Sequence, residues 1–363
     1  MAAMRHTFLE LSSHDADPAV ACDRGVALAP AADREWHAPD IHLLAIEAGS
    51  LVARCSCWWR ETAALDGQRL GVIGHYAAAD AASASALLER ACDTLAAAGC
   101  KTAVGPMDGN TWRRYRFLVQ RGSEPAFLLE PDNPDAWPRH WCAAGFSLHA
   151  TYTSAVNDDL TVQDERAERA RARLRDAGVS IRTFDSSRAV EELRRIFSLS
   201  LSAFSRNFLY TPISEAEFLA QNSALLPFVR PELILLAERD DELIGFLFAL
   251  PDLLQAKRGT PLDTVIVKTV AVDPSACAVG LGGVLVDLAQ RSAGHLGFRR
   301  AIHALMHETN ASRRLSDRWA RTIRRYALLS RPLSGPNQYR CGAGLQPCEA
   351  AAFRSAEALR HND

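Results

Sequence analysis

Apolar and polar positions along the chain fall into two similar successions. Residues 41–54, IHLLAIEAGSLVAR, and 233–246, LILLAERDDELIGF, each read as an apolar strand, a turn of small or acidic residues and a second apolar strand. Their Leu-Leu-Ala cores, Leu43–Ala45 and Leu235–Ala237, lie 192 positions apart. Both halves then predict a strand, a long amphipathic helix and another strand. In the first half these are Leu70–Tyr76, Ala82–Ala98 and Thr102–Met107; in the second, Thr264–Val272, Leu281–His295 and Ala301–Met306. The helices are expected from apolar recurrence at Leu87, Leu88, Ala91 and Leu95, and at Val284, Leu285 and Leu288. Gly99 and Gly294/Gly297 are placed to stop them. Each half closes on a Tyr-bearing strand, around Tyr152 and Tyr326, the first after an inserted Pro- and aromatic-rich loop at 117–145. A hairpin followed by strand–helix–strand, used twice, is an α/β (α+β) pattern repeated in tandem.

Between the halves, residues 157–177 are highly charged and read as a solvated helix or linker. The expected organisation is therefore 1–157, a linker helix at 158–177, and 178–363. A second charged helix is expected at Arg188–Ser202, and Ser214 with Glu217 forms a capping box for the next. The length of 363 residues agrees with two domains, since single cores rarely grow that large.

Composition narrows the class further. With 48% hydrophobic and 23% charged residues the chain is not disordered, and a formal charge of −2 gives no global reason to expect nucleic acid as a partner. No run of 18 apolar residues occurs and the start has no apolar signal segment, so a cytoplasmic protein is expected, without membrane contact. Nine Cys, none in a CxxC pair and none with His at zinc spacing, read as small buried thiols rather than metal ligands.

The sharpest chemical signal is the stretch Val272-Asp273-Pro274-Ser275-Ala276-Cys277-Ala278-Val279-Gly280-Leu281-Gly282-Gly283. A strand runs into a tight glycine-bearing loop that opens a helix, a setting that turns free N–H groups and the positive end of a helix dipole toward one spot, as an anionic group requires. The glycine spacing is not that of a dinucleotide fingerprint, and no Gly-Lys-Ser/Thr follows for a Walker loop.

This segment resembles the acyl-CoA pyrophosphate loop of the GNAT superfamily of acyltransferases. Val272-Asp273-Pro274 matches the strand end, and Gly280 and Gly282 match the two small positions. The resemblance implies two tandem GNAT-like domains, each a mixed, mainly antiparallel sheet flanked by helices. It implies an acyl-CoA-dependent N-acyltransferase that uses acetyl-CoA or another acyl-CoA as substrate, with no metal, and transfers to a small-molecule amine in a ternary complex. The cofactor-binding set it implies is Val270, Ala271, Val272, Cys277, Ala278, Val279, Gly280, Leu281, Gly282, Gly283 and Asn310, the last where the family places an Asn against the pantetheine arm. A monomer or homodimer is expected.

Two departures stand beside it. Cys277 takes the family's Arg/Gln position, which removes a side-chain cation from the loop. The first half has no G-x-G over Gly74–Ala82, and is expected to have lost CoA binding. For proton transfer the helix after Asn310 offers no Tyr, which leaves His307, Glu308 and Tyr326 as candidates, with His303, His307 and Tyr326 also readable as structural residues. Trp112, Arg113, Arg114, Tyr115, Arg116, Phe117, Phe127, Trp137, His140 and Trp141 read either as a ligand cage or as a satellite core. Open alternatives are a non-catalytic CoA-binding module, and transfer to a carrier-protein thiol or a protein lysine.

Overall fold

The computed structural model describes residues 6–65, 67–162 and 164–333. Cys341 and Cys348 lie outside them. The chain runs through β1 (Thr7–Leu11), α1 (Ala31–His37), β2 (Ile41–Glu47), β3 (Ser50–Trp58), β4 (Ala64–Leu65), β5 (Gln68–Ala78), α2 (Ala81–Ala97), β6 (Thr102–Gly105), β7 (Phe117–Gln120), α3 (Ala136–Ala143) and β8 (Ser147–Asn157). It continues through α4 (Glu165–Asp176), β9 (Ser180–Thr183), α5 (Ala189–Phe204), α6 (Glu215–Ser223), β10 (Ile234–Arg239), β11 (Glu242–Pro251), α7 (Leu253–Lys257), β12 (Thr264–Val272), α8 (Leu281–His295), β13 (Arg300–His307), α9 (Ala311–Ser316) and β14 (Arg321–Pro332).

Two compact units result. One comprises residues 1–120, 131–151 and 326–363, the other 121–130 and 152–325. They follow strand pairing rather than chain order. β8 starts in unit one and ends in unit two, and β14 does the reverse. The helix read as a linker, α4, belongs to unit two: Ala167, Ala170 and Leu174 are buried, the last two in its core with residues of α8. The stretch read as an inserted loop holds β7 and α3, and its residues 121–130 belong to unit two.

Each unit is a mixed, mainly antiparallel sheet flanked by helices. In unit one β2, β3 and β5 pair antiparallel and β5 pairs β6 in parallel. In unit two β10, β11 and β12 pair antiparallel and β12 pairs β13 in parallel. α2 and α8 are the two parallel crossovers, which a parallel pair of neighbouring strands requires. The apolar stripe of α8, Leu281, Val284, Leu285 and Ala289, packs on Val265 and Val267 of β12. The opposite face of β11–β13 carries a second core of Leu250, Ile266, Ile302, Ile323 and Phe127.

Both units interrupt the third strand of the repeat. Between Phe248↔Thr269 and Ala249↔Val267 the register skips Lys268, a β-bulge on β12. In unit one the register between β3 and β5 shifts between Arg54↔Ala77 and Ser56↔Gly74.

Candidate functional site

The parallel pairing of β12 with β13 runs from Thr264↔Arg300 to Val267↔His303 and then ends. On its other side β13 pairs β8 from Ala301↔Asn157 to His307↔Tyr152, with a register shift between His303 and Met306, while β12 continues to Val272 with β11 alone. The two strands part. Among the described residues no hydrogen-bond partner reaches the backbone of Thr269–Val272 from the parted side. A strand edge left this way offers N–H and C=O groups to an extended ligand.

This open edge leads to the start of α8. Asp273 Oδ1 accepts from Ser275 N and Oγ and turns the chain; Ala276 and Ala278 are buried as anchors. Cys277 and Gly280 take left-handed φ values of 48° and 90°, which rotate successive N–H groups to one side. The Gly280 cap carries no capping side chain, and among the described residues the N–H groups of Gly280, Gly282 and Gly283 have no acceptor. Unit one treats the same place differently. Asp80 caps α2 by accepting from Ser83 N at 2.8 Å. There the parted strands are filled by the chain itself: Met107 N donates to Ile73 O at 2.9 Å and His75 N donates to Asp108 Oδ1 at 2.6 Å. A Cβ on Gly74 would lie 2.1 Å from Met107 O, so the plug is built for glycine there.

Of the expected cofactor-binding residues, Val270, Ala271 and Val272 form the open strand end, and Cys277, Ala278, Val279, Gly280, Leu281, Gly282 and Gly283 form the turn and first helical residues. Leu281 is fully buried and serves the core. Asn310 caps α9 by its backbone and its side chain makes no capping bond. Leu315 of α9 lies over Gly282 and Gly283.

Two cations escaped the sequence reading. Arg239 of β10 donates to Ala276 O at 3.0 Å, inside the loop. Arg173 of α4 places a guanidinium nitrogen 3.9 Å from where a Gly280 Cβ would sit. The loop that lost its own Arg at Cys277 thus has positive charge supplied through space. Neither arginine signals this in the sequence, because each is far from the loop in chain order.

The proton-transfer candidates separate. His307 stacks edge-on to Tyr152 at 4.9 Å and lies within hydrogen-bond distance of Thr309 Oγ1 at 2.9 Å, at the open end of β13. Glu308 is exposed beside it. Tyr326 is fully buried, on the part of β14 that belongs to unit one, as its structural reading expects. His303 stands at the last parallel pair, buried, with Nδ1 2.9 Å from Ser316 Oγ and Nε2 without a partner; burial pushes its pKa down to about 4. The aromatic stretch is mostly core. Tyr76, Phe117, Trp137 and Trp141 pack edge to face in unit one, and Phe127 sits in the core of unit two. Among the described residues, no group of three or more His, Cys, Asp or Glu is placed to hold a metal, and no helix is long and apolar enough to cross a membrane.

Unit one holds a histidine row that periodicity did not single out. His42 Nδ1 lies 2.7 Å from Ser56 Oγ, which lies 2.9 Å from His75 Nδ1, whose Nε2 lies 2.8 Å from His37 Nδ1. Burial, helped by Arg54, pushes His42 and His75 down to about 3. Both fold neutral, whereas the unfolded chain protonates them near pH 6.5. Their contribution is therefore complete above pH 6.5 and is lost as pH falls toward 3, at roughly 1.4 kcal/mol per pH unit for each. Thermal melts at pH 7.5, 6.5 and 5.5 should show Tm falling over the last step, above the range where carboxylates titrate. An unchanged Tm would contradict neutral burial.

No family profile matches the chain. Over 196 residues it is 28% identical to a bacterial ceramide synthase from Caulobacter vibrioides, covering 53% of this chain and 50% of that protein. The chain thus matches about half the length of this curated relative. Among solved structures it is similar to a GCN5-related N-acetyltransferase from Sphaerobacter thermophilus (15% identity, 91% of this chain and 98% of that one, TM-score 0.47). It is also similar to a tandem GNAT protein from the clavulanic acid biosynthesis pathway (12% identity, 92% and 100%, TM-score 0.47).

Proposed function

We propose that the protein is an acyl-CoA-dependent N-acyltransferase of the GNAT type, with unit two as its acyl-CoA-binding half. One observation carries the reading. β12 and β13 part and leave one edge of Thr269–Val272 open, the other edge being paired with β11, and that open edge runs straight into the uncapped, glycine-lined N-terminus of α8. An extended amide-bearing arm ending in a pyrophosphate has this chemistry: strand-like hydrogen bonding along its length and an anion at one end. The donor set fits such a group. Unpaired N–H groups would take phosphate oxygens, and Arg173 and Arg239 would add charge that strengthens those bonds. The thioester supplies an activated carbonyl; the parted strand's N–H groups polarise its oxygen, and the open end of β13 admits the amine. Unit one, capped by Asp80 and plugged by Met107–Asp108, supports the reading that it does not bind acyl-CoA.

The ceramide synthase relative guides the choice of acceptor. A ceramide is the amide of a fatty acid with a long-chain amino alcohol, so sphinganine belongs in the amine panel beside short amines. Calorimetry with acetyl-CoA and palmitoyl-CoA should show one site per chain. Thiol release with the panel should then separate a catalyst from a binder. Absence of heat at millimolar acyl-CoA with either donor would end the reading.

A further inference from the structure

The bulge on β12 sets an unusual residue at the point where the strands part. Val265 and Val267 face the core under α8, and so do Val270 and Val272. The phase slip between them turns Lys268 to the other face, where Nζ lies 5.9 Å from the centre of the Phe248 ring. Lys268 is the neighbour of Val267, the last β12 residue paired with β13. It makes no ion pair among the described residues.

The residue type is informative. Of the 41 cationic side chains 38 are Arg, and the three Lys are Lys101, Lys257 and Lys268. A guanidinium holds its proton at every working pH, whereas an ammonium can give it up. A chain that uses Arg almost everywhere places Lys on the strand beside the site.

Its surroundings hold no carboxylate partner among the described residues, while the Phe248 ring face alone favours the ammonium. The side chain is exposed at the point where the strands part, yet the protein packed around it lowers its pKa. Charged groups on the elements packed against β12 are engaged elsewhere. On α5, Glu191 pairs with Arg188, Glu192 with Arg182, Arg194 with Glu215 and Arg195 with Glu238. On α8, Asp287 pairs with Arg291, and His295 lies at the far end of the helix. On β13, Arg300 pairs with Glu124 and Asp158, and the remaining titratable groups are His303 and His307. β11 carries only Glu242, at its start.

Resting on the acyltransferase reading above, we propose that Lys268 Nζ is the base of the transfer: as the free amine it takes the proton that the acceptor nitrogen sheds on attacking the acyl carbon. The N–C bond forms, the C–S bond breaks, and the electron pair leaves with sulfur as the CoA thiolate. The Lys268 ammonium then returns its proton to the thiolate or to water, which gives amide and free CoA thiol in balance.

Two measurements on the full chain test this. Trace labelling with acetic anhydride across pH, read by mass spectrometry at the three lysines, should show Lys268 becoming reactive at a lower pH than the other two. Co-titration of all three overturns the proposal. With acetyl-CoA as donor and the amine panel as acceptors, Lys268→Met and Lys268→Arg should both lose about 100-fold or more in kcat. Both should keep acetyl-CoA affinity within twofold and lose the rise of kcat/KM with pH that the wild type shows. Wild-type turnover by Lys268→Arg would make Lys268 a fixed charge and not a base. A stable acetyl group on Lys268 during turnover would make it an acceptor, and also overturns the proposal. Acetyl-CoA binding without transfer to any amine would overturn the transferase reading itself, whereas transfer indifferent to Lys268 would overturn only its role.

Discussion

Gly282→Leu is expected to leave the protein folded while weakening acyl-CoA binding by about 100-fold or more. A Cβ at this position would meet Leu315 Cδ1, Val270 Cγ1 and Val272 Cγ2 at 3.9 Å, ordinary contact distances, and its φ is not left-handed. The start of the side chain therefore fits. Its branch fills the space between the first turn of α8, the open end of β12 and Leu315, where the arm of an acyl-CoA would lie. Gly282 is the second residue of α8 and a side chain there costs the helix nothing, so loss of binding should come with an unchanged or slightly raised Tm. Gly294→Ala, on the same helix with its nearest neighbour at 4.0 Å, gives the matched control: an unchanged or slightly raised Tm with binding unaffected. Calorimetry with acetyl-CoA and a thermal melt decide it. Wild-type affinity in Gly282→Leu would place the ligand elsewhere.

The elements that matter here were legible for a simple reason. Period-2 and period-3.6 apolar recurrence fixes a strand or helix locally, and β12 at Thr264–Val272 and α8 at Leu281–His295 match the expected bounds. The slip at Lys268 was also written in the chain. Valines at 265 and 267, then at 270 and 272, break the alternation by one residue, though a single Lys in an apolar run reads as noise without its partner strand. What stayed illegible depends on pairing between distant segments. Nothing local to Tyr152 or Tyr326 tells which sheet each strand edge joins, so the passage of β8 and β14 from one unit to the other had no sequence signal, whereas the structural reading of Tyr326 did. The same holds for Arg173 and Arg239, which restore charge to the loop from α4 and β10. The plug in unit one needed knowledge that Asp108 turns back onto His75 N.

Arg324→Met is expected to destabilise unit two by about 3–5 kcal/mol, because the change breaks a buried ion pair. Arg324 and Glu130 are 3% and 1% exposed and pair through Nε at 2.9 Å. The guanidinium also donates to the carbonyls of Ile323 at 3.1 Å and Pro125 at 2.9 Å, and to those of Arg121 and Glu124. These bonds fasten 121–130, a segment with almost no regular structure, to β14, and so explain why it belongs to unit two rather than to its sequence neighbours. Removing the guanidinium takes the Arg324 partner from the buried Glu130, which disfavours its charged form. The sign then follows. The variant folds most easily with Glu130 protonated, so its deficit is largest at pH 7 and shrinks as pH falls toward 5, against a wild type measured at the same pH. The double variant Glu130→Leu/Arg324→Met should recover part of the loss, since an apolar pair needs no counter-charge. Urea unfolding at pH 7 and pH 5 checks both statements. A single-variant cost under about 1 kcal/mol, or a deficit that grows on acidification, would show that this ion pair does not hold the segment in place.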